Sequence, residues 1–283
     1  MKFLVTGGDG QVGRALARRG AALGHAVVAV GRSALDVTDR GAVDRTIASW
    51  NGDAVINAAA YTAVDRAETE RERAFAANRD GAANLAAACA RRGLKLLHIS
   101  TDYVFDGEKP IPYVEGDPVR PINAYGESKA AGEAAVRDLH PGAAIVRTSW
   151  VFGIDGPNFV RTILRLARER RVLQVVDDQR GCPTFADDLA DALIDLAARA
   201  HVPPVLHFCG DGPTTWHAFA EAIVAGARAR GPLACERVDA ITTAERAAPA
   251  RRPRSSVLDT SLARALGIAS PAWRPGLDRM LDA

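Results

Sequence analysis

The chain has 283 residues, of which 48% are hydrophobic and 25% charged, a balance that supports a sizeable buried core and excludes disorder, collagen and coiled coil as its main state. Lys+Arg is 36 and Asp+Glu is 34, a net charge of +2, so there is no global electrostatic reason to bind nucleic acid or membrane. The four cysteines, Cys89, Cys182, Cys209 and Cys235, are scattered without CxxC spacing. A reduced, cytoplasmic chain is expected, with neither a zinc site nor a disulfide framework. A cleavable leader would need a longer apolar stretch than the strand at 2–6 and the glycines after it, so none is expected there.

Apolar runs at 2–6, 26–30, 53–57, 94–99 and 143–147 read as buried strands. Between them, 11–23, 66–92 and 123–140 carry helical spacing or alanine-rich helical composition. Repeated strand–helix units predict a parallel sheet covered on both faces, with right-handed crossovers. The expected fold class is α/β, a Rossmann-type doubly wound parallel sheet with a smaller C-terminal domain. Residues 1–150 form the dinucleotide-binding part and 151–283 mainly the substrate-binding part. In the second part, 158–171 and 187–199 read as helices and 172–176 as a strand, while 205–209 is expected to return to the first sheet. The basic, proline-containing segment 244–256 reads as a solvated loop.

Gly7-Gly8-Asp9-Gly10-Gln11-Val12-Gly13 joins the first strand to the first helix. Glycine there permits a tight turn, close approach to a pyrophosphate and close helix–strand packing, and the helix N-terminus offers unpaired N–H groups to phosphate. Near the end of the second strand, where an NAD site usually carries an acid, the chain reads Val30-Gly31-Arg32-Ser33. Arg32 and Ser33 there favour NADPH over NADH. Further on, Tyr125 and Lys129 stand at i and i+4 of a helix start, so phenol and ammonium share one face. A lysine cation beside it is expected to lower the tyrosine pKa from about 10, making it a proton donor or acceptor at a carbonyl or alcohol oxygen. Thr101 follows the strand at 94–99 and is expected to reach the same substrate oxygen.

Glycine turn, strand-end threonine and YxxxK together resemble the extended short-chain dehydrogenase/reductase superfamily. The strings NAAAYTAVDRAE (57–68), STDYVFDG (100–107), YGESKAAGE (125–133), RTSWVFG (147–153), DDQRGCPT (177–184) and ARRPRSSVLDT (250–260) resemble one branch, the dTDP-4-dehydrorhamnose reductases. The resemblance implies NAD(P)H-dependent reduction of the C4 ketone of a dTDP-sugar. It implies Tyr125 as acid, Lys129 on the nicotinamide ribose and Thr101 orienting O4. It further implies Gly10, Gln11 and Val12 around the pyrophosphate, Asp36 and Val37 near the adenine, and Ala58, Ala59 and Ala60 along the cofactor. Thr62, Val64, Asp102, Tyr103 and Trp150 match the substrate side. Arg251 and Arg252 are candidates for the substrate diphosphate, although the solvated-loop reading stands slightly ahead for both. A homodimer is implied for some members, around a carboxylate-bound magnesium; Asp187 stands in the matching stretch but is one carbon shorter than glutamate. Tyr61 and Cys182 depart from the residues expected at their positions. Two other readings are a nucleotide-sugar dehydratase or epimerase, disfavoured because Tyr103 follows Asp102 where an Asp-Glu pair would be expected, and a non-catalytic subunit of the same fold, disfavoured by intact Thr101, Tyr125 and Lys129. The C4 epimer formed is left open.

Overall fold

The computed structural model describes residues 1–283. Its elements in chain order are β1 (Lys2–Thr6), α1 (Gln11–Ala22), β2 (Ala26–Val30), α2 (Arg40–Ser49) and β3 (Ala54–Asn57). Next comes a helical run over 71–92, α3, interrupted by a π-helical stretch Ala76–Asp80. Then follow β4 (Lys95–Thr101), α4 (Ala124–Leu139), β5 (Ala144–Thr148), α5 (Phe159–Glu169) and β6 (Val172–Val176). The chain closes with α6 (Ala186–Ala198), β7 (Val205–His207), α7 (Trp216–Arg228), β8 (Arg237–Ile241) and α8 (Trp273–Leu281).

Six parallel strands form the main sheet in the order β7-β5-β4-β3-β1-β2. The chain leaves β1 toward β2, then crosses back to β3 on the other side. The order therefore reverses around β1, and a crevice opens beyond the carboxyl ends of β1 and β3. Alternation along each strand supplies both faces. Phe3, Val5 and Ile56 pack on one side with Leu16 of α1 and Leu189, Leu193 and Ile194 of α6. Leu4, Val55 and Leu96 pack on the other with Ile47 of α2, Leu85 of α3 and Val136 of α4. All of these are essentially fully buried, each stabilising the fold by about 1.5–3 kcal/mol.

A third apolar cluster lies outside the sheet. It joins Phe152, Phe219, Ile223, Trp273 and Leu277 beneath the parallel pair β6–β8. Position 150 does not divide the chain cleanly. Besides β7, which pairs with β5 and ends at His207 rather than 209, helix α6 and residues Ala263 and Ile268 belong to the first core. The reason is coverage: α1 alone cannot shield its face of the sheet, and the apolar stripe of α6 completes the layer. The sequence reading assigns nothing to 40–49, 216–228, 237–241 or 273–281, and all four are regular elements.

Candidate active site

The turn after β1 is built by its glycines. Gly7 has φ +70°, and a Cβ there would lie 2.6 Å from the Ala58 carbonyl. A Cβ on Gly13 would lie 2.3 Å from the Gly7 oxygen. Gly7 and Gly13 are thus demanded by the chain itself, and Gly13 packs the turn rather than facing the cleft. Gly10 differs, since its added Cβ would meet only the Gly7 oxygen, at 3.3 Å. Its bare Cα faces open space, as a ligand pressed against the backbone requires. Gly10 caps α1 without any side-chain hydrogen bond, and the first turn holds no acidic residue. The N–H groups there stay available to an anion.

From this turn a cleft runs in two directions. One arm, about 300 Å³, is lined by Gly7, Gly10 and the alanines Ala58, Ala59 and Ala60, with Arg32, Asp36, Val37 and Tyr61 at its outer end. Small side chains after β3 leave this wall flat. Arg32 is 75% exposed and pairs with Asp36 at 3.0 Å, so its guanidinium lies free toward solvent beside an acid. Tyr61 is fastened by Asn78, which accepts from its N–H at 2.8 Å and donates to its carbonyl at 3.0 Å. The arm fits an adenosine dinucleotide by its open helix terminus and its Cβ-free floor.

The other arm, about 450 Å³, begins at Gly10, Gln11 and Val12 and collects Thr101, Tyr125 and Lys129. Thr62, Val64, Asp102, Tyr103 and Trp150 line it as well. Asn123 caps α4, accepting from Gly126 N at 2.8 Å, which starts the helix so that Tyr125 stands in its first turn. A Cβ on Gly126 would lie 2.2 Å from the Tyr103 oxygen, so the helix start is pressed against that residue. The rings of Tyr103 and Tyr125 meet edge to face at 5.9 Å. Asn78, in the π-helical stretch, donates to Ser128 at 2.9 Å, a use of irregular helix beside a site.

The expected acidification of Tyr125 is absent. Burial pushes its phenol up to about 12, with the Thr101 hydroxyl pulling down and Asp102 pushing up. Lys129 instead points into the sheet, donating to the Ile99 carbonyl at 2.6 Å. Burial lowers it to about 8, opposed by Glu133. The phenol therefore carries its proton at neutral pH, the state a proton donor needs. Thr101 Oγ1 accepts from Tyr103 N at 3.2 Å and donates to Asp102 Oδ1 at 3.0 Å. Asp102 is 2% exposed, and its Oδ2 has no partner. Burial raises it to about 7, with the nearby Ser256 and Thr101 hydroxyls pulling it down. Because the folded value lies above the ordinary 3.8, its contribution to stability is present in acid and is lost as pH rises through 7. Asp102→Asn should gain stability over the parent between about pH 5 and pH 8, on the order of a few kcal/mol. Denaturant midpoints of both proteins at the two pH values check this, and an unchanged gap refutes it.

One cleft residue, Trp216, lies beyond the sequence expectations, and another, Arg252, follows the less favoured of its two readings. Trp216, the first residue of α7, stacks on Trp150 at 3.6 Å and 7°. Trp150 adopts φ +45° and lies over Gly181, whose Cβ would sit 2.4 Å from the indole. Arg252 corrects the solvated-loop reading: it lines the same arm and bonds Asp65 at 3.0 Å. The neighbouring Arg251 carbonyl accepts from Asn123 at 2.7 Å, which ties the loop to the start of α4. Arg251 itself is exposed and does not line the cleft. A tryptophan opening an amphipathic helix and an arginine in a basic loop carry no local mark of this placement. Cys182 is buried among Val104, Phe105 and Cys209. The magnesium expectation finds no support. Asp187 lies outside both arms and is ion-paired with Arg18 at 2.6 Å, and no group of three or more His, Cys, Asp or Glu side chains is gathered to hold a metal.

A glycine turn at the order reversal of a doubly wound sheet, next to Thr, Tyr and Lys on one wall, defines a Rossmann-type dehydrogenase/reductase. The family described as the RmlD substrate binding domain matches residues 1–283. The chain belongs to that family, together with dTDP-4-dehydrorhamnose reductases of similar length. It is 46% identical to the one from Burkholderia thailandensis, over 97% of this chain and 96% of the relative. It is 39% identical to the one from Escherichia coli, over 100% and 97%. Among solved structures, the dTDP-4-dehydrorhamnose reductase of Bacillus anthracis in complex with NADP superposes with a TM-score of 0.93 at 37% identity, covering 100% of this chain and 99% of that one. A UDP-glucose 4-epimerase from Thermus thermophilus, at 22% identity and a TM-score of 0.82, shares the fold.

Proposed function

We propose that this protein reduces the C4 ketone of dTDP-4-dehydro-L-rhamnose to dTDP-L-rhamnose with NADPH. The observation that carries the reading is the continuity of the two arms: a protonated phenol and the Thr101 hydroxyl stand on the wall of a cleft whose other arm opens on a bare helix N-terminus. Gly7, Gly10, Gln11 and Val12 hold the cofactor's phosphates, and the three alanines border its path. Reduced nicotinamide supplies the hydride. Tyr125 donates its proton to O4 as negative charge grows there, and Thr101 orients that oxygen. Trp150 and Tyr103 offer flat faces with polar edges to the deoxysugar or thymine. Arg252 offers charge-assisted bonds to the diphosphate. Residues 1–150 serve chiefly the cofactor and 151–283 chiefly the sugar nucleotide.

The reading is supported by the family's dTDP-4-dehydrorhamnose reductases at 46% and 39% identity. No helix is long and apolar enough to cross a membrane, and all four cysteines are free and buried; both suit work in the cytoplasm. Incubation of the keto sugar with NADPH tests the function. Cofactor absorbance should fall only when the sugar is present, and product NMR should show the rhamnose C4 configuration. No consumption, or the C4 epimer, overturns it. The preference for NADPH rests on Arg32, which has no acid in the usual place after β2 and leans on Asp36 alone. Arg32→Ala should lower kcat/KM with NADPH by about tenfold, the loss of one charge-assisted phosphate contact, and leave NADH nearly unchanged. Equal effects on both cofactors refute the contact.

A further inference from the structure

Lys129 has a polar neighbour whose protonation state the sheet dictates. Asn57 closes β3 and is 2% exposed. Its Oδ1 accepts from Thr6 Oγ1 at 2.7 Å and from Ala59 N at 3.1 Å. A backbone N–H only donates, so the amide cannot be turned around; the oxygen must face Ala59. Asn57 Nδ2 therefore faces His98 Nδ1, at 2.9 Å. An amide nitrogen also only donates, so Nδ1 is the acceptor and the imidazole proton sits on Nε2. Nε2 lies 3.5 Å from Lys129 Nζ. His98 is 1% exposed, and burial together with Lys129 holds it neutral. A charged lysine, which has donors alone, would point at another N–H. A neutral lysine offers that N–H a lone pair.

We propose that His98, locked by Asn57 with its proton on Nε2, is a positioning residue that crowds the ammonium form of Lys129 and hydrogen-bonds the amine. This rests on the reductase reading above for its role in turnover. Lys129 lines the same arm as Thr101 and Tyr125, so the balance of ammonium and amine that His98 sets bears on the charge at that wall. Of the other titratable groups, Glu133 on its own helix acts on Lys129, Arg147 on β5 is held by Glu133, and Tyr125, Asp102, Tyr103 and Arg252 line the same arm. Glu133 favours the ammonium, but its carboxylate is engaged by Arg147 at 2.8 and 2.7 Å. His98, at 3.5 Å, acts against it.

Nitrogen-15 NMR of histidine-labelled, cofactor-free protein reads the tautomer directly, with His98→Gln assigning the resonance. The expected result is a neutral ring protonated at Nε2 across neutral pH. A proton on Nδ1, or an imidazolium, overturns the proposal. A second variant, His98→Leu, removes the N–H that faces Lys129 while keeping a buried side chain of similar size. The lysine's titration midpoint, followed by NMR of the labelled side chain without cofactor, should rise so that the proton is held about tenfold more tightly. The alkaline limb of the kcat–pH profile should move in the same direction. An unmoved midpoint overturns the proposal. If these variants fail to fold, labelled wild-type protein decides, with His98 assigned by scalar couplings from its backbone. Failure of the reductase reading would appear separately, as wild-type protein that leaves the keto sugar unconsumed while both NMR results stand.

Discussion

Tyr125→Phe should lower kcat by about two to four orders of magnitude, the range a positioned general acid contributes, while the Kd for NADPH changes little. The side chain loses one oxygen and keeps its ring, so the edge contact with Tyr103 at 5.9 Å survives. The phenol stands on the wall of the sugar arm and is absent from the arm lined by Arg32 and Asp36, which separates the two effects. Its pKa of about 12 leaves only donation available in the free protein at neutral pH. Near-normal turnover in this variant would remove Tyr125 from the chemistry. A parallel loss of cofactor affinity would assign it a binding role instead.

Gly7→Ala should nearly abolish cofactor binding, raising the Kd for NADPH by about a hundredfold or more. Two costs combine at this position. The backbone at φ +70° is in the left-handed region, where a non-glycine residue costs about 1–3 kcal/mol. The new methyl would also sit 2.6 Å from the Ala58 carbonyl. The least costly relief moves the turn away from β3, which shifts Gly10 and the first N–H groups of α1. Each 1.4 kcal/mol lost from binding is tenfold in Kd, and the strain is of that order even before the phosphate contacts are counted. Calorimetric titration with NADPH measures the outcome, and thermal melts show how much of the cost falls on folding. Unchanged affinity would mean the turn is not the phosphate site.

Much of this was legible because it is local. The strand over 2–6, the glycines after it and the helix behind them occupy consecutive positions. Backbone geometry permits few arrangements of such a string. Tyr125 and Lys129 share a helix face by spacing alone. Thr101 follows from the rule that parallel strands end at the ligand crevice. The elements at 216–228 and 237–241 were not legible: their burial depends on the third cluster, whose members are drawn from Phe152 to Met280. Trp216 was hidden for the same reason, since its partner Trp150 lies far away along the chain. For Arg252 the solvated reading stood slightly ahead of a diphosphate contact, because composition cannot show that Asn123 ties its loop to the head of α4.

Protonation divides the two levels most clearly. Spacing alone places a lysine near Tyr125 and leads to an acidified phenol. The folded protein does the opposite, because desolvation acts on every buried group and the lysine turns to the Ile99 carbonyl. The sequence by itself determined the strand–helix order of the first sheet, the glycine turn and the shared helix face of Tyr125 and Lys129, each read from residues close together in the chain. Only the tertiary structure decided the burial of Asp102, the proton position on His98 and the company of Trp150. Those follow from solvent exclusion and hydrogen bonds between strands far apart in the chain, which no short window of residues contains.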